Sequence, residues 1–384
     1  MDNIYEAFST EELLRYSRHL NLPNFNLSGQ KKLKDARVLV IGTGGLGAPM
    51  LQYLAASGVG TIGIVDFDVI DKSNLQRQVL FTTEDVGKPK TAVARDRMLA
   101  MNPHISIEVH DTQLNAANAL QIIENYDIVA DGTDNFPTRY LVNDACVLSG
   151  KPNVYASIFQ FEGQVSVFNL LNNSGERGPN YRDIFPTPPP PGMVPSCAEG
   201  GVLGVLPGIV GSLQALEVLK LILKEGTPLS GELFVMDTLS FTMRKLKIRK
   251  DPSNPLTGEN PTQTELIDYE EFCGVKSENQ SVPEITIEAF KALTPASYQL
   301  IDVREPYEYQ AGNMNGVLIP LSQFTEQLNR IDTSRTVVIH CKSGARSAKA
   351  VKELVKLKPN AKIYNLKGGI QAWARTVDPS IDVV

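Results

Sequence analysis

Arg37-Val38-Leu39-Val40-Ile41 runs directly into Gly42-Thr43-Gly44-Gly45-Leu46-Gly47, and Ala48-Pro49-Met50-Leu51 follows. The first five residues are a short apolar run suited to a buried strand. The glycine-rich segment is a turn with little side-chain bulk, and an apolar helix is expected over 46–57. Small residues in such a turn let the backbone approach a phosphate, while the helix N-terminus offers N–H donors and a positive dipole. Thr61–Asp66 reads as the next strand, and Asp66 ends it 19 residues after Gly47. An acidic group at that place meets a ribose hydroxyl pair in this architecture. Taken alone, Gly42, Gly44, Gly45, Gly47 and Asp66 suit NAD as well as ATP.

Further strands and helices extend the pattern outward. Lys90–Met101 reads as helix, 127–131 as a later strand and 163–170 as an added one. Strands alternating with helices imply an α/β fold, a parallel sheet covered on both faces. Ser73-Asn74-Leu75-Gln76-Arg77-Gln78 places an amide and a guanidinium just past the acidic strand end, and Lys90 opens the following helix. Arg77 and Lys90 suit neutralisation of a triphosphate, which hydride transfer does not require. Gly132-Thr133-Asp134-Asn135 follows 127–131, at the carboxyl edge where such sheets bind ligands. Asp134 suits Mg²⁺, a hard cation that favours carboxylate and phosphate oxygens.

The chain has 384 residues, which suggests two or three domains. Its 42% hydrophobic and 21% charged composition is that of a soluble globular protein, and a net charge of −6 argues against a broad nucleic-acid footprint. The four cysteines, Cys146, Cys197, Cys273 and Cys341, are far apart, excluding a disulfide scaffold and a four-cysteine zinc module. The N-terminus lacks the order of a secretory signal. The apolar stretch 202–223 contains Gln214, Glu217 and Lys220, so a buried helix is expected there rather than a membrane span, and a cytoplasmic location follows. Asn, Gly and the run Pro188–Pro191 mark 172–195 as a long exposed loop. These signals divide the chain into a nucleotide-binding domain at 1–250, a linker at 251–283 and a second α/β domain at 284–384.

In the second domain, 299–303, 336–341 and 362–366 read as strands and 347–357 as a helix. Cys341 ends a strand and begins the loop Cys341-Lys342-Ser343-Gly344-Ala345-Arg346. A loop wrapping a cysteine before a helix points its N–H groups at the sulfur, and Lys342 and Arg346 add positive potential. Both features favour a thiolate or an anionic persulfide. Four residues separate Cys341 from Arg346, a shorter cradle than the five-residue spacing of cysteine phosphatases and better sized for sulfur.

The segments GTGGLG, DFDVIDKSNLQRQ, VGKPK, DGTDN and PSCAEGGVLGVLPGIVGSLQALEVLK closely resemble the MoeB/ThiF enzymes over residues 8–273. These enzymes are relatives of ubiquitin-activating enzymes that adenylate sulfur carriers. The resemblance implies a Rossmann-like doubly wound adenylation domain, ATP contacts at Gly45, Asp66, Asn74, Arg77 and Lys90, and a magnesium role for Asp134 next to Asn135. It also implies that Arg18 reaches a neighbouring subunit's phosphates in a homodimer, and that Cys197 is the family's reactive cysteine. The family's structural zinc, held by two CxxC pairs, should fall near Asn180-Tyr181-Arg182-Asp183 and Asn254-Pro255-Leu256-Thr257. None of these residues is cysteine, so no structural zinc is expected. Residues 284–384, with LIDVREPYEYQAGNMNGVLIPL, HCKSGARS and LKGGIQAW, resemble a rhodanese domain, which implies a Cys341 persulfide. Asp302 and Arg304 match its DVRE segment and are expected to form a structural ion pair.

Together these readings imply ATP-dependent adenylation of the C-terminal glycine of a ubiquitin-like sulfur carrier ending in Gly-Gly, followed by sulfur transfer from Cys341. Cys197 either cleaves the resulting sulfur–sulfur bond or first forms a thioester; the sequence is consistent with both orders. A cysteine desulfurase as sulfur donor and thioredoxin as reductant complete the scheme, with no nucleic-acid or membrane partner. Two competing readings are an NAD(P)-linked oxidoreductase with a regulatory sulfur-binding domain and a non-catalytic binder of a ubiquitin-like protein.

Overall fold

A computed structural model describes residues 4–190, 193, 200–274 and 282–383. The chain forms two compact units, Met1–Val275 and Lys276–Val384. In the first, β1 (Arg37–Ile41), α1 (Gly47–Ser57), β2 (Thr61–Asp66), α2 (Lys90–Met101), β3 (Ser106–Asp111), β4 (Ile128–Asp131) and α3 (Phe136–Leu148) alternate as expected of a doubly wound fold. There follow β5 (Asn153–Phe159), β6 (Glu162–Phe168), α4 (Leu206–Leu223), β7 (Glu232–Asp237) and β8 (Thr242–Lys247). The sheet order is β3-β2-β1-β4-β5-β6-β7-β8, parallel from β3 to β5 and antiparallel from there to β8. Branched apolar side chains at Val38, Leu39, Val40, Ile62, Ile64 and Val129 are fully buried, as a strand covered on both faces requires.

Among the described residues, α4 is the one helix long and apolar enough to cross a membrane, and it packs on the sheet instead. Its polar residues explain why. The Gln214 amide donates to the carbonyls of Asp131 and Val154, at 2.8 and 3.0 Å, and so bridges β4 and β5. Glu217 accepts from the Leu229 N–H and pairs with Lys220. The Gln214 amide nitrogen, Glu217 and Lys220 therefore each have a partner on the sheet side or at the helix end.

Two expectations for irregular segments are corrected. The stretch 172–195 was expected to be exposed, but Asn180, Tyr181 and Arg182 are buried. Tyr181 lies against the rings of Tyr140, Tyr155, Phe168 and Phe185. The stretch 251–274 is not a linker: Asn254, Leu256, Tyr269 and Cys273 are buried in the first unit. Glycine, proline and asparagine rule out regular hydrogen-bond ladders, but they do not rule out burial. What holds both segments is a buried ion pair. Arg182 donates to both oxygens of Asp144 on α3, at 3.0 and 2.6 Å, and the same carboxylate accepts from Gln263 and Tyr269 at 2.9 Å each.

The second unit is a five-stranded parallel sheet. Its strands are β9 (Glu284–Ile285), β10 (Tyr298–Asp302), β11 (Val317–Leu318), β12 (Thr336–His340) and β13 (Ile363–Leu366), in the order β11-β10-β12-β13-β9. The helices α5 (Ala345–Leu357) and α6 (Gly369–Thr376) follow β12 and β13.

Removing one member of a buried ion pair leaves an uncompensated charge, at a cost of about 3–5 kcal/mol. Arg182→Met should therefore destabilise the first unit by that order in urea unfolding followed by circular dichroism. A change below about 1 kcal/mol would show that Asp144 is satisfied without Arg182.

Candidate functional sites

The glycine turn at the carboxyl end of β1 is shaped by close backbone approaches. A side-chain carbon at Gly47 would overlap the Gly42 carbonyl oxygen, and one at Gly42, whose φ is +87°, would stand 3.1 Å from the carbonyl oxygen of Gly132. Residue 45 faces Pro207 and the stem of Arg77, and residue 44 faces the Gln78 amide. The turns after β1 and β4 and the segment following β2 thus converge at one sheet edge, the place where open α/β sheets bind ligands.

Asp66 is tied into the turn. One carboxylate oxygen accepts from the Thr43 N–H and hydroxyl, at 2.8 and 2.7 Å, and the other from the Asp68 N–H at 2.9 Å. A carboxylate has about four lone-pair sites, so capacity remains for a ribose hydroxyl. Lys90, buried at the start of α2, reaches back to Asp68 at 2.8 Å. Arg77 donates to the Ser73 carbonyl at 3.1 Å, and the Asn74 side chain accepts from the Asp71 N–H. Thr43 and Asp68 were not picked out in the sequence; a threonine inside the glycine turn and an acid two residues past Asp66 are the signals that point to them.

The loop after β4 is supported from beneath. Buried Asp131 accepts from the Thr133 N–H and hydroxyl, at 2.9 and 2.6 Å, and Arg139 donates to the Thr133 carbonyl at 3.1 Å. Burial holds the Asp131 carboxyl above its usual range. Asp134 is exposed, with no cation in ion-pair distance among the described residues. Asn135 caps α3, accepting from the Thr138 N–H at 2.9 Å, so its side chain is engaged in the helix start. Arg18 is exposed on the short helix Ser17–Leu20, and no hydrogen bond or ion pair joins it to the glycine-turn cluster among the described residues.

In the second unit the sulfur site is equally built. Cys341 is 1% exposed; its sulfur accepts from the Gly344 N–H at 3.2 Å and lies 3.4 Å from the Ser347 hydroxyl. The carbonyls of Cys341 and Lys342 accept from the Ile370 and Gln371 N–H groups of α6, which fixes the loop from behind. Lys342 and Arg346 are partly exposed around it, with Ser343 and Ala345 exposed. Arg346 turns its guanidinium onto Glu308 of the short helix Pro306–Ala311, with two bonds of 2.6 Å. Below the loop, Asp302 and Arg304 form a fully buried pair at 2.7 Å, and burial holds the neighbouring His340 below the ordinary imidazole range. Glu308 and Asn365, the latter on β13 beside Ser347, carry no signal in the cysteine loop itself, because both arrive from other elements.

The remaining cysteines sort by environment. Burial pushes the Cys273 thiol up to about 11 and holds the Cys146 thiol well above its ordinary value, so both are poor nucleophiles at neutral pH. Cys197 lies outside the described residues.

The positions where the two CxxC pairs would fall hold a hydrogen-bonded clasp. The Asn180 amide donates to Thr257 Oγ1 at 2.9 Å, and the Asn254 amide donates to Asp183 Oδ1 at 2.8 Å and Asn180 Oδ1 at 3.3 Å. Asp183 also accepts from the Asn180 and Asp251 N–H groups. With an amide donor pointing into the centre and no thiolate or imidazole, these residues do not fit a structural zinc. Among the described residues no group of three His, Cys, Asp or Glu could hold a metal.

Comparison with known proteins gives a consistent picture. The ThiF family matches residues 16–256 and the rhodanese-like domain matches residues 286–376. A probable adenylyltransferase/sulfurtransferase, MoeZ, from Mycobacterium tuberculosis is 50% identical over 98% of this chain and 96% of its own length. A sulfur carrier protein adenylyltransferase from Thermus thermophilus is 55% identical over 70% of this chain and 99% of its own. The adenylyltransferase and sulfurtransferase MOCS3 of Drosophila grimshawi is 39% identical over 99% and 88%. Among solved structures, E. coli MccB with MccA-N7isoASN superposes with a TM-score of 0.56 at 26% identity, covering 65% of this chain and 75% of that one. E. coli MccB with ATP gives 0.52 at 25% identity, covering 67% and 77%.

Burial alone would raise the Glu308 carboxyl; the bonds from Arg346 and the Glu305 N–H outweigh it and hold the carboxyl below its ordinary range. Its contribution to stability is then complete above the unfolded glutamate pKa of about 4.3 and is lost as pH falls through the lower folded value. Unfolding of the second unit is read by Trp373, the single tryptophan. Glu308→Gln should be less stable than the parent by a constant amount from about pH 7 to 5, and the gap should close below about pH 4. A gap independent of pH would remove the ion pair as its cause.

Proposed function

We propose, on the premise that the chain belongs to the ThiF family in the form that carries a C-terminal rhodanese-like domain, that it activates a ubiquitin-like sulfur carrier with ATP and then places sulfur on it. The observation that carries this reading is the pairing, in one chain, of a glycine turn tied to Asp66 and faced by Arg77 with a buried cysteine whose sulfur accepts from the Gly344 N–H of its loop.

In the first unit, the open backbone of Gly42–Gly47 and the start of α1 receive the nucleotide phosphates, and Asp66 takes the ribose hydroxyls. Arg77 and Lys90 exchange their present partners, the Ser73 carbonyl and Asp68, for phosphate oxygens. Asn74 adds a polar contact beside them. Asp134, exposed and free of a nearby cation among the described residues, suits a magnesium ion, which when bound would neutralise phosphate charge. Thr133, held by Asp131 and Arg139, sets where Asp134 stands. Arg18, detached from its own cluster, would serve the partner's site in a homodimer.

The carrier's terminal carboxylate attacks the α-phosphorus and pyrophosphate leaves. The terminal sulfur of a Cys341 persulfide then attacks the acyl carbonyl and AMP departs. In the simplest completion, the Cys197 thiolate attacks the Cys341 sulfur. The sulfur–sulfur bond breaks, thiocarboxylate is released, and a Cys197–Cys341 disulfide remains for an external two-electron thiol reductant such as thioredoxin. A cysteine desulfurase is a suitable source of the persulfide. The nucleotide site needs no structural zinc in this scheme, because the Asn180–Asp183–Asn254–Thr257 clasp closes the segment that a metal would otherwise hold.

Asp134→Ala should abolish carrier-dependent exchange of pyrophosphate into ATP while thiosulfate sulfurtransferase activity persists; equal loss of both would point to misfolding and undo the assignment. An oxidoreductase would show no such exchange even in the parent chain.

Cys341→Ala should still adenylate the carrier, yet give no gain of about 16 Da, the replacement of one oxygen by sulfur, in the carrier's intact mass. Full thiocarboxylate formation by Cys341→Ala would end the sulfur-transfer reading.

A further inference from the structure

The Ser347 hydroxyl stands among three acceptors: the Cys341 sulfur at 3.4 Å, the Gly344 carbonyl at 3.1 Å and Asn365 Oδ1 at 2.6 Å. A hydroxyl has one hydrogen to give. All of these side chains are buried, with Cys341 1%, Ser347 0% and Asn365 3% exposed, so water does not make up a shortfall. The shortest approach is to Asn365, whose amide nitrogen is turned toward Glu284 Oε1 at 3.4 Å. In this arrangement the hydrogen of Ser347 goes to Asn365, and among the described residues the sulfur keeps one donor, the Gly344 N–H. The lone pairs of Ser347 then face sulfur, which suits a neutral S–H donor.

An anionic sulfur requires the opposite polarity. We propose that Asn365 is a positioning residue that directs the Ser347 proton, its side-chain amide turning over when Cys341 carries negative charge. Turned over, Asn365 Nδ2 donates to Ser347 Oγ, and the hydroxyl hydrogen is released to the sulfur. The bond given up, to Glu284, is long and weak, and the exposed Glu284 carboxylate turns to solvent in its place. The trio thus keeps its hydrogen-bond count while adding one donor to the thiolate or persulfide. Asparagine is required because its two ends, an acceptor and a donor of nearly equal shape, interchange by one rotation. Other charges around the sulfur do not supply this selectivity. Lys342 and Arg346 add the same positive potential whichever way Asn365 is turned, with Arg346 also paired to Glu308, while buried His340 is held toward neutrality and Asp302 and Arg304 pair with each other.

The inference rests on Cys341 as the sulfur-bearing residue, and its test needs neither carrier nor ATP. The rate of Cys341 alkylation by iodoacetamide is followed against pH in the full chain, resolved from the other cysteines by peptide mass spectrometry. Asn365→Asp accepts but does not donate, and it adds a negative charge. It should move the midpoint up by about one unit or more, a roughly tenfold slower reaction near neutral pH, with the plateau at high pH unchanged. Ser347→Ala should shift the midpoint in the same direction, and Ser347→Thr, which retains the hydroxyl, should restore it. Coincident midpoints for Asn365→Asp and the parent overturn the proposal. So does a Ser347→Ala shift that Asn365→Asp does not share. If Asn365→Asp lowers the plateau through misfolding, the Ser347 pair reads the same proton, and equal midpoints for Ala and Thr overturn it. Thiocarboxylate formation by Cys341→Ala would instead refute the proposed function and leave this alkylation profile as it is.

Discussion

The carbonyl oxygen of Gly42 occupies the space that any side chain on residue 47 would need, and much of the first unit follows from that close approach. It brings the first turn of α1 directly against the end of β1, so the N–H groups of the helix start face the carboxyl edge of the sheet. The turn after β4 then crosses over Gly42, with the Gly132 carbonyl against it, and Thr43 reaches across to Asp66 at the end of β2. Three strand ends are therefore fastened to one another by backbone proximity and short polar bonds. A phosphate chemistry placed there meets donors that are already oriented, with little reorganisation left to bear at the moment of reaction.

Around this edge the chain relies on buried polar cross-links more than its composition suggests. Asp144 collects Arg182, Gln263 and Tyr269; Asn254 joins Asp183 and Asn180; Gln214 bridges two strands. Such links are costly when half-satisfied and specific when complete, because each donor has few acceptors in reach and no water to turn to. The second unit repeats the logic at smaller scale: Asp302 with Arg304 beneath the cysteine loop, Glu308 with Arg346 beside it, and Ser347 with Asn365 behind it. In both units the reactive edge is open backbone or a single sulfur, while Asp66, Lys90 and Arg346 nearby are held by partners. The same partners that give rigidity must be exchanged when Arg77 and Lys90 meet phosphate.

The alternation of strands and helices, the glycine turn and the cysteine loop were legible in the chain because each is local. Apolar runs of five or six residues marked β1 and β2, and the helix over 347–357 followed from its own periodicity. The strands β3, β5, β7 and β8 were not recognised. β3 is partly exposed and mixes charged with apolar residues, while β8 is exposed along its whole length, so neither shows the apolar run that marks a buried strand. Irregular segments misled in the other direction. Their prolines, glycines and asparagines reported correctly that no strand or long helix forms, only the short turns Tyr181–Asp183 and Tyr269–Phe272, and incorrectly that the backbone stays at the surface throughout.

What the amino-acid sequence determined by itself, then, was the class of fold, the two chemistries and the residues that each loop carries in succession. What only the tertiary structure decided was which distant groups those residues answer to: Asp68 for Lys90, Glu308 for Arg346, Asn365 for Ser347, and the Asn180–Asn254 clasp for the segment 251–258. The reason is physical. Local spacing encodes helix period, strand period and turn geometry within a few residues. The partner of a buried polar side chain is instead set by which elements the packed sheet brings within about 3 Å, and no periodicity along the chain records that distance.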